Sequence, residues 1–242
     1  MDLTGRIALV TGASGGIGSA ICRRLAGEVA AIAVGYGSNS EPAEALATEI
    51  VSGGGTARAF GSDMADPGAP DRLIDDVETA LGPVDILVAN HGVARPARYE
   101  DLDAATFDRT LAVNLRAPFL LARRALAGMR ERGFGRVLFT SSVAAFRGGV
   151  VGPDYASSKA GLHGLAHFLA SRVAADGVTV NVLAPGFIAT AMLPGDPQEL
   201  AANTPTGRVG RPNEVADLAL AILRNGYVNS QVFSIDGGMY PR

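Results

Sequence analysis

Cysteine is all but missing from this chain. Cys22 is the only one, so no disulfide framework can form and a reducing cytoplasm suits it. Lysine is as scarce: of 21 basic residues 20 are arginine, and Lys159 stands alone. With a net charge of −3 and no basic tail or lysine-rich run, nucleic acid is not expected as a partner. No stretch approaches the ~20 apolar residues of a membrane span. The opening MDLTGRIALV enters a strand pattern at once and reads as no signal peptide. The composition, 48% apolar and 19% charged over 242 residues, is that of an ordinary globular chain that needs no metal or disulfide for stability.

What is present is a regular alternation. Short apolar runs occupy residues 6–11 (RIALVT), 29–36 (VAAIAVGY), 56–61 (TARAFG), 84–90 (VDILVAN), 136–142 (RVLFTSS), 178–184 (VTVNVLA) and 231–235 (QVFSI). Near-continuous apolarity marks strands covered on both faces. Helix-length stretches lie between them, at 16–27, 41–53, 67–81, 104–132, 153–176 and 212–225. The pattern predicts α/β architecture: one doubly wound, parallel, Rossmann-type sheet of seven strands in a single domain over 1–242, with helices on both faces. Ligands bind such a sheet beyond the carboxyl ends of its strands. The unusual residues gather there, at 11–18, 62–64, 90–92, 141–142 and 185–190.

After the first strand comes Thr11-Gly12-Ala13-Ser14-Gly15-Gly16-Ile17-Gly18, opening the first helix. Glycines let the backbone approach a pyrophosphate, and the helix start offers free N–H groups and a partial positive charge. The same residues satisfy Gly-x-Ser-x-Gly, the nucleophile elbow of α/β-hydrolases, with Ser14 as nucleophile. That elbow needs strands before it and a late histidine, and this chain has almost nothing before Ser14 and no histidine after His167.

Tyr155 and Lys159 fall at i and i+4 in a helix, on one face. A carbonyl reduced by hydride needs a proton, which a neutral tyrosine can supply, and a nearby ammonium stabilises the phenolate. The chain's one lysine being placed there is hard to ascribe to chance. Ser142, at the end of the fifth strand, can hydrogen-bond a substrate carbonyl. Its neighbour Ser141 should point the other way. Asn114 lies inside a helical stretch, a poor place for Asn unless its amide is used.

The glycine loop, Asn90-His91-Gly92, Asn114, Ser142, Tyr155-x3-Lys159 and Pro185-Gly186-Phe187-Ile188-Ala189-Thr190 resemble, in order and spacing, the short-chain dehydrogenase/reductase family, most closely its 3-oxoacyl-[acyl-carrier-protein] reductases. The resemblance runs through the closing Ile235-Asp236-Gly237-Gly238-Met239. It implies an NAD(P)-dependent enzyme interconverting a ketone and a secondary alcohol, with a small-molecule or acyl-thioester substrate. Tyr155 would be the general acid/base, Lys159 would hold the nicotinamide ribose, Ser142 would polarise the carbonyl and Asn114 would hold a relaying water. Gly12, Ser14, Gly15, Gly16, Ile17 and Gly18 would cradle the pyrophosphate. Asp63 and Met64 would touch the adenine, and Asn90 with Gly92 would line the groove. Pro185 and Gly186 would lead into Ile188 and Thr190, which grip the carboxamide. A homotetramer through the 104–132 and 153–176 helices is also implied. A sensor that keeps the fold without the chemistry is the alternative, and the intact Ser142, Tyr155 and Lys159 argue against it.

An NAD enzyme of this fold usually ends its second strand with Asp or Glu. Here that place holds Tyr36, followed by Gly37, Ser38 and Asn39, whose groups could accept a phosphate, so NADP(H) is expected over NAD(H). The family's Asn-Asn-Ala-Gly run is Ala89-Asn90-His91-Gly92 here; His91, bulkier than the usual alanine, could line the pocket, but a packed, uncharged histidine is expected. The segment after Met192 is shorter than the usual substrate lid. Asp176 and Gly133 stand where carrier-protein reductases tend to carry basic residues, so weak carrier preference is expected. His163 and His167 share a helix face without a third ligand and are expected at the helix surface or a subunit interface, and no metal is expected. Arg123-Arg124 and Arg130-x-Arg132 read as a solvated helix side, and Asp75-Asp76 and Asp101-x-Asp103 as helix-terminal carboxylates.

Overall fold

The structure, a computed structural model, describes residues 2–240. Its strands are β1 (Ile7–Thr11), β2 (Ala31–Tyr36), β3 (Ala57–Gly61), β4 (Val84–Ala89), β5 (Gly135–Thr140), β6 (Val178–Pro185) and β7 (Val232–Ile235). They pair in parallel as one seven-stranded sheet in the order β3-β2-β1-β4-β5-β6-β7. The helices are α1 (Gly16–Leu25), α2 (Glu41–Ser52), α3 (Ala69–Leu81), α4 (Ala104–Leu111), α5 (Ala117–Glu131), α6 (Ala144–Arg147), α7 (Pro153–Val173), α8 (Pro197–Ala202) and α9 (Pro212–Arg224).

Each inner strand feeds two cores, which is why its sequence shows no polar face. Leu9, Leu87, Val137 and Val180 pack under α3, α5 and α7. Val10, Val88, Leu138 and Leu183 pack under α1, α2 and α9. The edge strands β3 and β7 are less buried, and the run TARAFG accordingly carries Arg58 and Thr56. The chain winds outward from β1 through β2 to β3, then crosses back to β4 on the other side of β1. The strand order reverses there, and sheets of this kind bind ligands beyond the carboxyl ends of their strands at that point.

The expected helix over 104–132 is two helices, α4 and α5, joined by a π turn at Ala112–Arg116. The α-helical donor to the Asn114 carbonyl would be the N–H of residue 118, and Pro118 has none. Two short helices, α6 and α8, had no period long enough to announce them. The boundaries of β2 and β5 shift inward by two residues from the expected 29 and 142, to Ala31 and Thr140.

Candidate active site

The glycine loop is built by close backbone approach. Gly12 has φ +63°, and a Cβ there would sit 2.8 Å from the Cα of His91. At Gly18 a Cβ would meet the Gly12 carbonyl at 2.4 Å, so α1 can begin this near to β1 only with glycine. No side chain caps α1, which leaves its first N–H groups without a side-chain partner beside exposed Ser14 and Gly15. A Cβ on Gly16 would strike the Thr190 methyl at 2.7 Å, which brings the loop after β6 onto the start of α1. Asn90 donates to the Gly12 carbonyl at 3.3 Å, and Ile188 bridges to Gly210 beside it. The backbone cradle, the bare helix start and the converging 90–92 and 185–190 loops fit a dinucleotide pyrophosphate.

At the outer end, Tyr36 lies across Gly61, where a Cβ would fall 2.9 Å from its hydroxyl oxygen. Ser38 and Asn39 are exposed in the following loop, and no carboxylate stands between residues 36 and 40. Asp63 accepts the Ala65 N–H at 3.0 Å in a local turn. The Met64 side chain turns into the core, so an adenine here could meet only its backbone.

At the inner end, α7 carries Tyr155 and Lys159 into the gap between β5 and the π turn. Lys159 is 4% exposed. Its Nζ donates to the Thr140 carbonyl at 2.8 Å and lies 5.9 Å from the centroid of the Tyr155 ring. Burial without a carboxylate partner brings the ammonium down to about 8. Burial pushes Tyr155 up, against a hydrogen bond with Ser142 that opposes the shift, so the phenol is protonated at neutral pH. Ser142 sits just past β5, its hydroxyl accepting the Ala144 N–H that opens α6. Ser141 points the other way, as its strand position requires: its hydroxyl donates to the Lys159 carbonyl at 2.8 Å and accepts from His163 Nε2 at 2.8 Å. The site therefore offers an acid, a cation and a hydroxyl around one small space.

Asn114 is wholly buried with its amide fully engaged. Its oxygen accepts the Val93 N–H at 2.8 Å, and its nitrogen donates to the Val93 carbonyl at 2.9 Å and to Ser158 Oγ at 3.1 Å. A Cβ on Gly92 would come 3.3 Å from both Asn114 Oδ1 and Lys159 Nζ, so that glycine keeps the space beside the ammonium open.

His91 is buried and neutral, pressed down to about 3, as its packed environment implies. His163, expected at the helix surface or a subunit interface, is half-buried, bonds Ser141 and packs on Phe146 with ring centroids 4.9 Å apart. His167 is exposed and bonds Ser230 at 2.9 Å. With all three histidines bonded away from Ser14, the hydrolase elbow lacks a base. Arg123 and Arg124 pair with Asp71, Asp75 and Glu78 across α3 and α5, and Asp103 caps α4. No cluster of metal-ligating side chains occurs among the described residues.

One neighbour of the site escaped the sequence. Residues 236–240 press on Gly186, where a Cβ would meet the Asp236 Cα at 2.8 Å, and Tyr240 stacks on Phe146 at 4.9 Å. The Ile-Asp-Gly-Gly-Met run was visible there, but nothing in it indicated what it touches.

Residues 6–200 match the family model described as short chain dehydrogenase. The acetoacetyl-CoA reductase of Cupriavidus necator is 35% identical, over 98% of this chain and 99% of that protein. The 3-oxoacyl-[acyl-carrier-protein] reductase of Escherichia coli (strain K12) is 34% identical over 99% of each. A blue fluorescent protein from a metagenomic library, solved in complex with NADPH, superposes with TM-score 0.93 at 36% identity over all of both chains. The chain belongs to the short-chain dehydrogenase/reductase family. It is an oxidoreductase of the ketone-reductase type, acting between carbonyl and CH–OH groups.

Proposed function

We propose that this enzyme reduces short 3-oxoacyl thioesters with NADPH. The observation that carries the reading is the meeting of a protonated Tyr155, the chain's one lysine and Ser142 at the carboxyl edge of the sheet, next to a glycine cradle. The bound dinucleotide would supply the hydride. Ser142 donates to the substrate carbonyl and holds its carbon toward the cradle. Tyr155 gives its phenolic proton to the forming alkoxide. Lys159, held by the Thr140 carbonyl, takes the ribose hydroxyls and stabilises the phenolate that remains. Because the Asn114 amide is spent on Val93 and Ser158, its main-chain carbonyl is the group that would hold a relaying water.

The glycine loop, Asn90, Gly92 and the 185–190 loop line the dinucleotide, with Asp63 and the Met64 backbone at the adenine. Preference for NADPH follows from the missing carboxylate at Tyr36 and the hydroxyl and amide groups of Ser38 and Asn39. The named relatives support the thioester class, and Asp176, paired with Arg130, and Gly133 stand where carrier-protein reductases tend to carry basic residues, which favours CoA-linked or small ketones. One cytoplasmic domain assembling as a tetramer through α4–α5 and α7 completes the proposal. A panel of ketones and 3-oxoacyl thioesters, followed at the nicotinamide absorbance, tests it. Turnover lost in Tyr155→Phe with dinucleotide affinity kept is the expected result; more than about a tenth of wild-type activity in that variant would reject the assignment.

A further inference from the structure

His91 has both ring nitrogens engaged and is 9% exposed. Nδ1 lies 2.6 Å from Thr11 Oγ1 and Nε2 lies 3.0 Å from the Val113 carbonyl. A carbonyl can only accept, so Nε2 carries the proton and Nδ1 receives the Thr11 hydroxyl. The same threonine oxygen takes the Asn90 and His91 N–H groups at 3.1 and 3.4 Å. Thr11 is the last residue of β1 and Gly12 follows it. Val113 lies in the π turn beside Asn114, which itself holds Val93 through both ends of its amide. One ring thus spans from the root of the glycine loop to the turn that faces Lys159, and the 90–93 loop is stapled twice to that turn.

We propose that His91 is a positioning residue, a strut that makes closure of the glycine loop on the dinucleotide and placement of Asn114 beside Lys159 a single event. This rests on the oxidoreductase reading given above. Leucine fills the space but takes the N–H donor from the Val113 carbonyl and leaves the Thr11 hydroxyl only the Val88 carbonyl, 3.4 Å away. Glutamine offers an amide N–H and a carbonyl with the polarity of Nε2–H and Nδ1.

The test compares His91→Leu with His91→Gln at a temperature where both are folded. Dinucleotide Kd is read from nicotinamide fluorescence, and kcat and KM at saturating cofactor. His91→Leu should raise Kd and lower kcat together by about tenfold, with ketone KM changed by less than about threefold, and His91→Gln should recover most of both. Wild-type Kd and kcat in His91→Leu, with only Tm altered, would overturn the proposal, as would a glutamine variant no better than leucine. Nitrogen-15 NMR gives an arm that needs neither turnover nor the leucine variant. The wild-type ring should show one neutral Nε2–H tautomer unchanged between about pH 8 and 5, and a ring that titrates there would equally overturn it. A wild type that turns over no ketone would instead reject the function, leaving the Kd and NMR arms to decide on the strut.

Discussion

The ammonium of Lys159 is 4% exposed, meets the Thr140 carbonyl at 2.8 Å and pairs with no carboxylate among the described residues. Its pKa falls from 10.5 to about 8 for one cause, burial. At 1.36 kcal/mol per pH unit, that shift corresponds to about 3 kcal/mol by which the folded state disfavours the charged form. The folded value lies below the unfolded one, so between them the unfolded chain binds more protons and stability rises with pH. The penalty is complete below about 8 and is relieved as pH climbs toward 10.5. Lys159→Met keeps the stem and removes the charge. After about 1 kcal/mol for the Thr140 carbonyl left without its donor, the variant should gain about 2 kcal/mol at pH 7. For a domain of this size that is a Tm higher by about 4–8 °C, with turnover abolished. Calorimetry at pH 7 and near pH 9.5 measures it, and the variant's advantage should shrink at the higher pH. A variant no more stable than wild type at pH 7, or a wild-type stability flat across this window, would refute the reasoning.

Three further outcomes follow from the same geometry. Wild type should use NADPH with higher kcat/KM than NADH, and Tyr36→Asp should move the ratio toward NADH by placing a carboxylate against the 2′-phosphate; a tenfold preference for NADH in wild type would contradict this at about 1.4 kcal/mol. Gly18→Ala puts a methyl 2.4 Å from the Gly12 carbonyl and should abolish dinucleotide binding, read by fluorescence titration. Pro118→Ala restores the α-helical donor to the Asn114 carbonyl, so kcat should fall several-fold with dinucleotide Kd unchanged, and an unchanged kcat would remove the carbonyl from the proton path.

Much of the fold was legible because both-face burial leaves a plain mark: runs such as RIALVT and VTVNVLA have no polar side to hide. The glycine loop was legible for a related reason, since Gly12 and Gly18 sit where any Cβ would strike backbone. The π turn was not, because the 3.6-residue period continues across it and only the Asn114 to Pro118 spacing hints at a missing donor. Nor was the partnership of Ser141 with His163, which depends on β5 and α7 meeting in space from positions 22 apart in the chain. His91 could be read as packed, but its two partners come from β1 and the π turn, which no local pattern joins.

The solitary lysine has a consequence for how the molecule can be observed. Apart from the α-amino group, the chain has one primary amine, and it lies buried where α7 meets β5, beside the space that Gly92 keeps open. An amine-directed acylating reagent therefore has a single side chain to modify, and reaches it only through that space. The rate at which Lys159 is labelled in folded protein then reports access to the centre of the site, with no other lysine to add background.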